Sequence, residues 1–319
     1  MGIRNYFAEN TIIDSIEEFI FYKIPIIIYS PIYYIGTWLF SKIVNEKKYK
    51  YKASLCLIFK DEARYLKEWI DYHILIGIDH FYLYNNNSTD NYLEILKPYI
   101  ENGVITLINF PKNYAQVKAY QDCYERSKLE TEWLGYIDVD EYINLIKHNS
   151  IKELLNSVRQ YPSLYLNWRM FGTSGFLKET AGTLTIERYT QCWKNLCPTG
   201  KCFINNRYPK HKIWIHYHRN YFFGIPVAGV ATNKSIAYKF HYLYSANVDK
   251  IAYINHYWSR SYEFYIYKNH VKTDVSQAKH EQLKKNHNNF KLNELNNISK
   301  DFSILRWLIF LKKDIGISD

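Results

Sequence analysis

Hydrophobic and polar positions along residues 53–137 alternate in a way that predicts strands followed by helices. Short apolar runs predict strands at 53–59, 80–84, 104–109 and 134–137. Between them lie segments with the apolar spacing of helices, such as residues 115–128. Strand followed by helix, repeated along the chain, is typical of a parallel sheet covered by helices. The predicted fold class is therefore α/β.

Polar and acidic side chains follow three of the predicted strands at their carboxyl ends. Asp61 and Glu62 come after the first strand, Asn86 after the second, and Asp138 and Asp140 after the fourth. Because the carboxyl ends of parallel strands meet at one edge of a sheet, we expect these residues to line one cleft. The sequence lacks glycine-rich phosphate-binding fingerprints, so neither a Rossmann dinucleotide site nor a P-loop is predicted.

The segment around Asp138 carries three carboxylates within four residues, directly after an apolar run. A packed core does not tolerate bare charges, so these carboxylates indicate a cation or a water-filled cleft. In an extended segment Asp138 and Asp140 point to the same side, and both then reach one divalent ion. Oxygen ligands favour Mg²⁺ or Mn²⁺, which is well suited to hold a diphosphate. The segment predicts a metal and nucleotide site, the alternative being a solvated turn.

Residues 1–50 differ from the rest of the chain. Residues 24–40 carry no charge and are followed by several lysines. This run is shorter than the ~20 residues that span a bilayer. It also contains Pro25, Pro31 and Gly36, so a transmembrane helix is not favoured. Two interpretations stay open: a segment that lies in the membrane interface on anionic lipid, or an apolar arm packed on the main domain.

The overall charge is basic, with 41 Lys and Arg against 31 Asp and Glu, and the aromatic share is 18%. This balance suits phosphate-bearing partners, which include nucleic acid, anionic lipid and nucleotide-sugars. The sequence contains no zinc-finger, RNA-recognition or helix-turn-helix signature, and its basic residues are scattered. A nucleic-acid partner is therefore not predicted.

The five cysteines favour a reducing compartment, because their number is odd and no cleavable signal sequence precedes them. Cys192, Cys197 and Cys202 lack the two-residue spacing of a zinc knuckle, so free thiols are predicted. We expect a cytoplasmic protein. Residues 1–50 add the alternative of a peripheral protein on the cytoplasmic face of the membrane.

The C-terminal part of the chain changes composition after about residue 270. Residues 279–297 are polar and predict an exposed helix or a linker. Residues 303–313 are short, aromatic and basic, as in an amphipathic helix. This helix either lies on a membrane surface beside the N-terminal segment or packs against that segment as a protein core.

Several separate motifs, in one order, resemble those of glycosyltransferase family 92 and family 2-like glycosyltransferases. They are KDEARYLKEWIDYH at 60–73, GIDHF at 77–81, NNSTD at 86–90, YIDVDE at 136–141, NWRMFGTSG at 167–175 and NHYWSRS at 255–261. The resemblance implies a GT-A type nucleotide-diphospho-sugar transferase sandwich, with a mixed, mostly parallel central sheet flanked by helices. It predicts three parts: an N-terminal segment at 1–50, a GT-A domain at 51–270, and a linker with a short helix at 271–319.

The resemblance also implies an activity. A metal-dependent hexosyltransferase would move a sugar from a nucleotide-sugar, with a UDP-sugar as the expected donor, to a hydroxyl of a glycan or lipid-linked acceptor. Inversion is implied, in the synthesis of cell-surface polysaccharide or glycolipid. The alternative is a non-catalytic carbohydrate- or nucleotide-binding protein on the same scaffold.

Site residues follow from the same resemblance. It suggests Asp61, Glu62 and Asn86 beside the nucleoside, and Asp138 on ribose or metal. Asp140 would bind the metal, which is Mn²⁺ or Mg²⁺. His256 best matches a further metal ligand of GT-A sites, with two other histidines, His216 and His218, as competitors.

An inverting transfer needs a general base for the acceptor hydroxyl. Glu141 and Glu179 are the candidates, the alternatives being a supporting carboxylate for Glu141 and a solvated loop charge for Glu179. Lys201 or Arg260 could assist the departing diphosphate. Two aromatic residues at 167–175, Trp168 and Phe171, are candidates either to stack on sugar rings or to pack in the core.

Overall fold

The computed structural model describes residues 31, 35–39, 41–44, 47–216, 218–222, 225–227, 229–232, 236–237, 250–270 and 281–315. Most of the predicted segment at residues 24–40 therefore lies outside the described residues. Strands and helices alternate over residues 51–136, as the apolar pattern of that part of the chain predicts.

Fifteen strands are described along these residues. They are Tyr51–Phe59 (β1), His80–Asn85 (β2), Ile105–Asn109 (β3), Thr131–Tyr136 (β4), Glu141–Leu145 (β5), Ser163–Met170 (β6), Gln191–Cys192 (β7), Cys197–Asn205 (β8), Lys210–Lys212 (β9), Arg219–Phe222 (β10), Ile225–Val227 (β11), Gly229–Ala231 (β12), Ile236–Ala237 (β13), Ala252–His256 (β14) and Ser299–Lys300 (β15).

The helices lie between and after the strands. They are Ala63–Leu75 (α1), Tyr92–Glu101 (α2), Ala115–Ser127 (α3), Ile151–Ser157 (α4), Thr185–Arg188 (α5), Tyr262–His270 (α6), Glu281–Asn296 (α7) and Leu308–Ile315 (α8), with a 3₁₀ turn at Ser303–Trp307 before α8.

One mixed sheet forms the centre of the fold. Its strand order is β13-β12-β6-β8-β4-β1-β2-β3, and β14 pairs with both β5 and β6. Strands β4, β1, β2 and β3 run parallel to one another, whereas β8 is antiparallel to β4 and β6. This arrangement confirms the predicted α/β class, and it brings the carboxyl ends of β1, β2 and β4 to one edge.

The two faces of β1 belong to two hydrophobic cores, as side-chain alternation requires. Leu55 and Leu57 pack in the core that includes α1 and α2, whereas Cys56 and Ile58 pack in the core that includes α3. Each fully buried leucine contributes about 1.5–3 kcal/mol of hydrophobic free energy. Helices on both faces explain why β1 is apolar throughout its second half.

The C-terminal elements pack onto the domain. Buried Asn293 of α7 accepts a hydrogen bond from the Trp193 indole (2.8 Å), and Glu294 accepts one from the Thr173 backbone N–H (3.0 Å). The prediction of an exposed segment at 279–297 is thus wrong for this face of α7. The helix α8 packs against α1 through buried Leu311.

The state of the cysteines and the character of the helices complete the description of the fold. All five cysteines are free, which confirms the prediction of free thiols for Cys192, Cys197 and Cys202, and all five are buried. Among the described residues, every helix is too short or too polar to cross a membrane.

Asp90 accepts a hydrogen bond from the Ala63 backbone N–H (2.7 Å), so it caps α1, the helix that follows β1.

Candidate functional site

The acidic residues after β4 form a tight turn. The Glu141 backbone N–H donates to the Asp138 carbonyl (3.0 Å), and the Asp138 N–H donates to Glu141 Oε2 (2.9 Å). The expectation of an extended segment is therefore wrong, because these two hydrogen bonds close the segment between β4 and β5 into a turn. Asp138 and Asp140 consequently face different partners.

Asp138 lies at the carboxyl end of β4 and contacts three groups. Its Oδ2 accepts a hydrogen bond from Lys201 Nζ (2.7 Å), and its Oδ1 accepts one from the Tyr120 hydroxyl (3.0 Å) and one from Gln116 Nε2 (3.3 Å). Burial acts to raise the pKa of Asp138, but Lys201 first, together with the Tyr120 hydroxyl, lowers it overall. With 31% of its side chain exposed, Asp138 still offers an oxygen to solvent or a ligand.

Asp140 is more enclosed than Asp138 and faces two other basic side chains. Lys268 Nζ lies 2.8 Å from its Oδ2, and His256 Nε2 lies 3.7 Å from the same oxygen. Burial acts to raise the pKa of Asp140, but Lys268 first and His256 next hold it well below its ordinary value. The Trp168 ring lies 4.4 Å from the His256 ring, so Trp168 lies beside Asp140 and His256 in the candidate site.

Glu141, the last residue of the turn, and Lys201 of β8 have side chains that are almost wholly buried. Lys201 Nζ is 3.8 Å from Glu141 Oε1, so one ammonium group serves both Glu141 and Asp138. Burial raises the pKa of Glu141 well above its ordinary value, although Lys201 acts against it. The Oε1 atom of Glu141 makes no hydrogen bond to a described residue.

The residues at the ends of β1 and β2 hold neighbouring loops. Asp61 adopts a left-handed backbone (φ 50°), and its Oδ1 accepts a hydrogen bond from the Thr89 N–H (2.7 Å). Buried Asn86 donates to the Phe110 carbonyl (2.7 Å) and to the Lys112 carbonyl (3.0 Å). Asp61 thus joins the β1 and β2 loops, and Asn86 fixes the loop before α3.

Glu179 lies among several donors. Its Oε1 accepts hydrogen bonds from the Tyr189 hydroxyl (2.6 Å) and the Ser261 N–H (3.2 Å). Its Oε2 accepts one from the Tyr65 hydroxyl (3.3 Å) and lies 3.4 Å from Arg64 Nη2. Burial acts to raise the pKa of Glu179, but these donors, Ser261 and Tyr189 first, lower it.

The remaining candidates have clear positions. Phe171 is fully buried against the Tyr257 ring (4.8 Å), so the core alternative holds for it. His218 is buried beside the Tyr136 ring, and His216 meets the edge of Trp168 (5.2 Å).

The donor chemistry of Asp138, Asp140 and His256 suits Mn²⁺ or Mg²⁺, because carboxylate oxygen and imidazole nitrogen are common ligands of such ions. The Nδ1 atom of His256 is buried without a hydrogen-bond partner in the part of the chain described. Within that same part, no three His, Cys, Asp or Glu side chains are grouped closely enough to hold a metal ion. Lys201 and Lys268 supply the positive charge at the two aspartates.

Sequence reasoning missed three residues of this site. Gln116 and Tyr120 are in the first two turns of α3, and Lys268 is in α6. The polar positions of α3 nearest its N-terminus were a usable signal, since that end of the helix follows the loop at the same sheet edge. Lys268 had no comparable signal.

Two proteins from other organisms are similar in sequence to this chain. A glycosyltransferase family 92 protein of Ricinus communis is 28% identical over 165 residues, which are 46% of this chain and 28% of that protein. The beta-1,4-galactosyltransferase galt-1 of Caenorhabditis elegans is 26% identical over 175 residues, 47% of this chain and 41% of that protein. The chain thus matches less than half the length of either relative.

A crystal structure of S. aureus TarS 1-349 is similar at a TM-score of 0.34 and 17% identity, covering 49% of this chain and 47% of that one. The family model described as Glycosyltransferase family 92 matches residues 51–303, which is most of the sequence. The chain belongs to glycosyltransferase family 92.

Proposed function

We propose that this protein is a metal-dependent glycosyltransferase. It moves a hexose from a UDP-sugar to a hydroxyl of a glycan or lipid-linked acceptor, with inversion, in the synthesis of cell-surface polysaccharide or glycolipid. The observation that carries the proposal is the turn with Asp138 and Asp140 at the carboxyl ends of the parallel strands, where two lysine ammonium groups balance its charge. Membership of the family and the similarity to a galactosyltransferase support it.

Asp138, Asp140 and His256 would hold Mn²⁺ or Mg²⁺ if they came closer together than in this structure, where no three such side chains among the described residues are grouped closely enough. When bound, the ion supplies positive charge to the departing diphosphate. Lys201 keeps Asp138 ionised through a 2.7 Å hydrogen bond, and Lys268 does the same for Asp140 at 2.8 Å. Both carboxylates are therefore charged at neutral pH, as the binding of a cation requires.

The nucleoside would lie over the ends of β1 and β2. Asp61 and the exposed part of Asp138 are the acidic groups best placed to reach it, while the more buried Glu62 and Asn86 shape the loops around it. Loops held in this way reduce the ordering cost of donor binding.

The general base is assigned to Glu141 in preference to Glu179. A base with a raised pKa accepts a proton better, and the pKa is raised for Glu141 but lowered for Glu179. Glu179 already accepts from several donors, whereas Glu141 Oε1 makes no hydrogen bond to a described residue. Because the Glu141 carboxylate is fully buried in this structure, the 138–141 turn would have to move outward for an acceptor hydroxyl to reach Oε1.

Calorimetric titration of UDP tests the donor site. We expect binding in the presence of Mn²⁺, its loss in EDTA, and its loss in Asp140→Asn. Binding by the wild type without transfer to any hydroxyl, even water, would favour the non-catalytic alternative. Failure of UDP, GDP and CDP to bind under all conditions would contradict the proposed function.

We also propose a cytoplasmic location with peripheral contact to the membrane surface. The support is a set of exposed side chains in the 3₁₀ turn and α8 and just before them, namely Phe302, Arg306, Ile309, Phe310 and Lys313. Exposed apolar and cationic groups in one short segment suit an anionic lipid surface. Co-sedimentation with phosphatidylserine vesicles should fall in the double variant Ile309→Ser/Phe310→Ser, and equal sedimentation of both proteins would contradict the contact.

A further inference from the structure

We propose that Arg260 is a positioning residue that holds the 138–141 turn in the conformation needed for donor binding, a role that rests on the proposed function. It follows β14 and precedes α6, and its side chain is fully buried. A buried guanidinium cannot touch a donor directly. Whatever Arg260 contributes must therefore pass through the groups that it contacts.

The guanidinium of Arg260 meets three different parts of the fold. Its Nη2 donates a hydrogen bond to the Val139 carbonyl (3.1 Å), which lies between the two aspartates. Its Nη1 lies 3.6 Å from Glu62 Oε2 at the end of β1. Its planar face lies over the Tyr65 ring in α1, at 3.4 Å from the ring centroid. One side chain thus links the turn to the first strand and the first helix.

A second contact from the same segment reinforces the first. The Tyr257 backbone N–H donates to the Asp140 carbonyl (2.8 Å), while Arg260 holds the carbonyl of Val139. Two consecutive carbonyls of the turn are therefore fixed by residues 257–260. Because a peptide plane is rigid, fixing both carbonyls sets the direction of the Asp140 side chain.

The backbone of Arg260 shows that this placement is maintained against an unfavourable conformation. Its φ is 49°, in the left-handed region that a side chain with a Cβ rarely adopts. Such conformations persist only where the surroundings fix them, and they cluster at functional sites. The buried Nε and Nη1 atoms also make no hydrogen bonds within the described residues. Packing alone would be better satisfied by an apolar residue.

The test compares Arg260→Met with Arg169→Met, a matched control. Arg169 is also mostly buried, lies 3.4 Å from a carboxylate (Asp301), lies over a tyrosine ring (Tyr253, 4.8 Å) and donates to the Trp193 carbonyl (3.5 Å), and these three partners are outside the turn. Hydrogen exchange of the peptide covering residues 136–142 is the first readout. We expect about tenfold faster exchange in Arg260→Met and no change there in Arg169→Met.

Affinity for UDP with Mn²⁺ is the second readout, and we expect about a tenfold rise in Kd for Arg260→Met alone. Wild-type protein that binds no nucleotide would defeat the proposed function, while the exchange measurement would still decide the role of Arg260. Unchanged exchange at 136–142, or equal acceleration in both arginine variants, would overturn the proposal. If Arg260→Met does not fold, Arg260→Lys keeps the charge without the planar fork, and wild-type exchange in that variant would likewise overturn it.

Discussion

Lys268 Nζ lies 2.8 Å from Asp140 Oδ2, although 128 residues separate them in sequence. The ammonium group occupies the oxygen through which Asp140 would bind a divalent ion. Removal of Lys268 should therefore make that oxygen available to a metal.

We expect Lys268→Met to bind Mn²⁺ more tightly than the wild type, with a several-fold lower half-saturation concentration. The physical reason is that one carboxylate cannot satisfy an ammonium group and a metal ion at the same oxygen without competition. Titration of Mn²⁺ by electron paramagnetic resonance measures free ion directly.

A matched variant controls for simple loss of positive charge. Lys67 also lies 2.7 Å from an aspartate, Asp71, but on the outer side of α1. Lys67→Met should bind Mn²⁺ as the wild type does. Weaker or unchanged Mn²⁺ binding in Lys268→Met would remove Asp140 from the proposed ligand set.

The second prediction concerns acid stability and Asp140. A carboxyl with a depressed folded-state pKa stabilises the fold above its unfolded pKa and loses that contribution as pH falls through the folded pKa. The pKa of Asp140 lies well below its ordinary value. We therefore expect the stability gap between wild type and Asp140→Asn to be full at pH 7 and to shrink below about pH 4. Urea unfolding at several pH values measures the gap, and parallel curves would contradict the assignment.

The strand ends were predictable because apolar periodicity locates buried strands and the next residues reach the sheet edge. That reasoning located Asp61, Asn86 and Asp138 correctly at this edge. It failed for the turn itself, because a hydrogen bond from the Glu141 N–H to the Asp138 carbonyl replaces the extended backbone. Alternation alone does not reveal where a strand stops.

The direction of a polar side chain at the edge was not predictable either. The Asn86 amide turns inward and donates to the carbonyls of Phe110 and Lys112. An amide that binds a ligand would instead turn outward. Both choices satisfy the same hydrogen-bonding groups, so the sequence does not distinguish them. Long-range pairs such as Lys268 with Asp140 depend on the path of the whole chain.

The third prediction is that Glu179→Gln affects stability more than catalysis. Its carboxylate accepts from the Tyr189 hydroxyl and the Ser261 N–H, and hydrogen bonds to a charged group contribute about 1.5–3 kcal/mol. We expect a lower free energy of urea unfolding, with kcat within a few-fold of the wild type. A loss of kcat by two orders of magnitude in a fully folded variant would instead indicate that Glu179 acts on the acceptor.

The fourth prediction is the reverse pattern for Glu141→Gln. Burial raises the pKa of Glu141, so ionisation of its carboxyl lowers the free energy of unfolding as the pH rises above the pKa that Glu141 has in the unfolded chain. The neutral amide of Glu141→Gln avoids this cost. We expect the unfolding free energy at pH 7 to be at least that of the wild type. General-base catalysis typically contributes 10²- to 10⁴-fold, so kcat should fall by about that factor.

Comparison of the two glutamine variants separates a base from a structural carboxylate. A Glu141→Gln enzyme with wild-type kcat and an unchanged pH profile would show that Glu141 only closes the turn through the Asp138 N–H. Loss of kcat together with loss of stability would mean that the turn itself was disturbed. Only a stable variant with low kcat supports the base, because its Gln side chain can still accept the Asp138 hydrogen bond but can no longer take a proton from the acceptor hydroxyl.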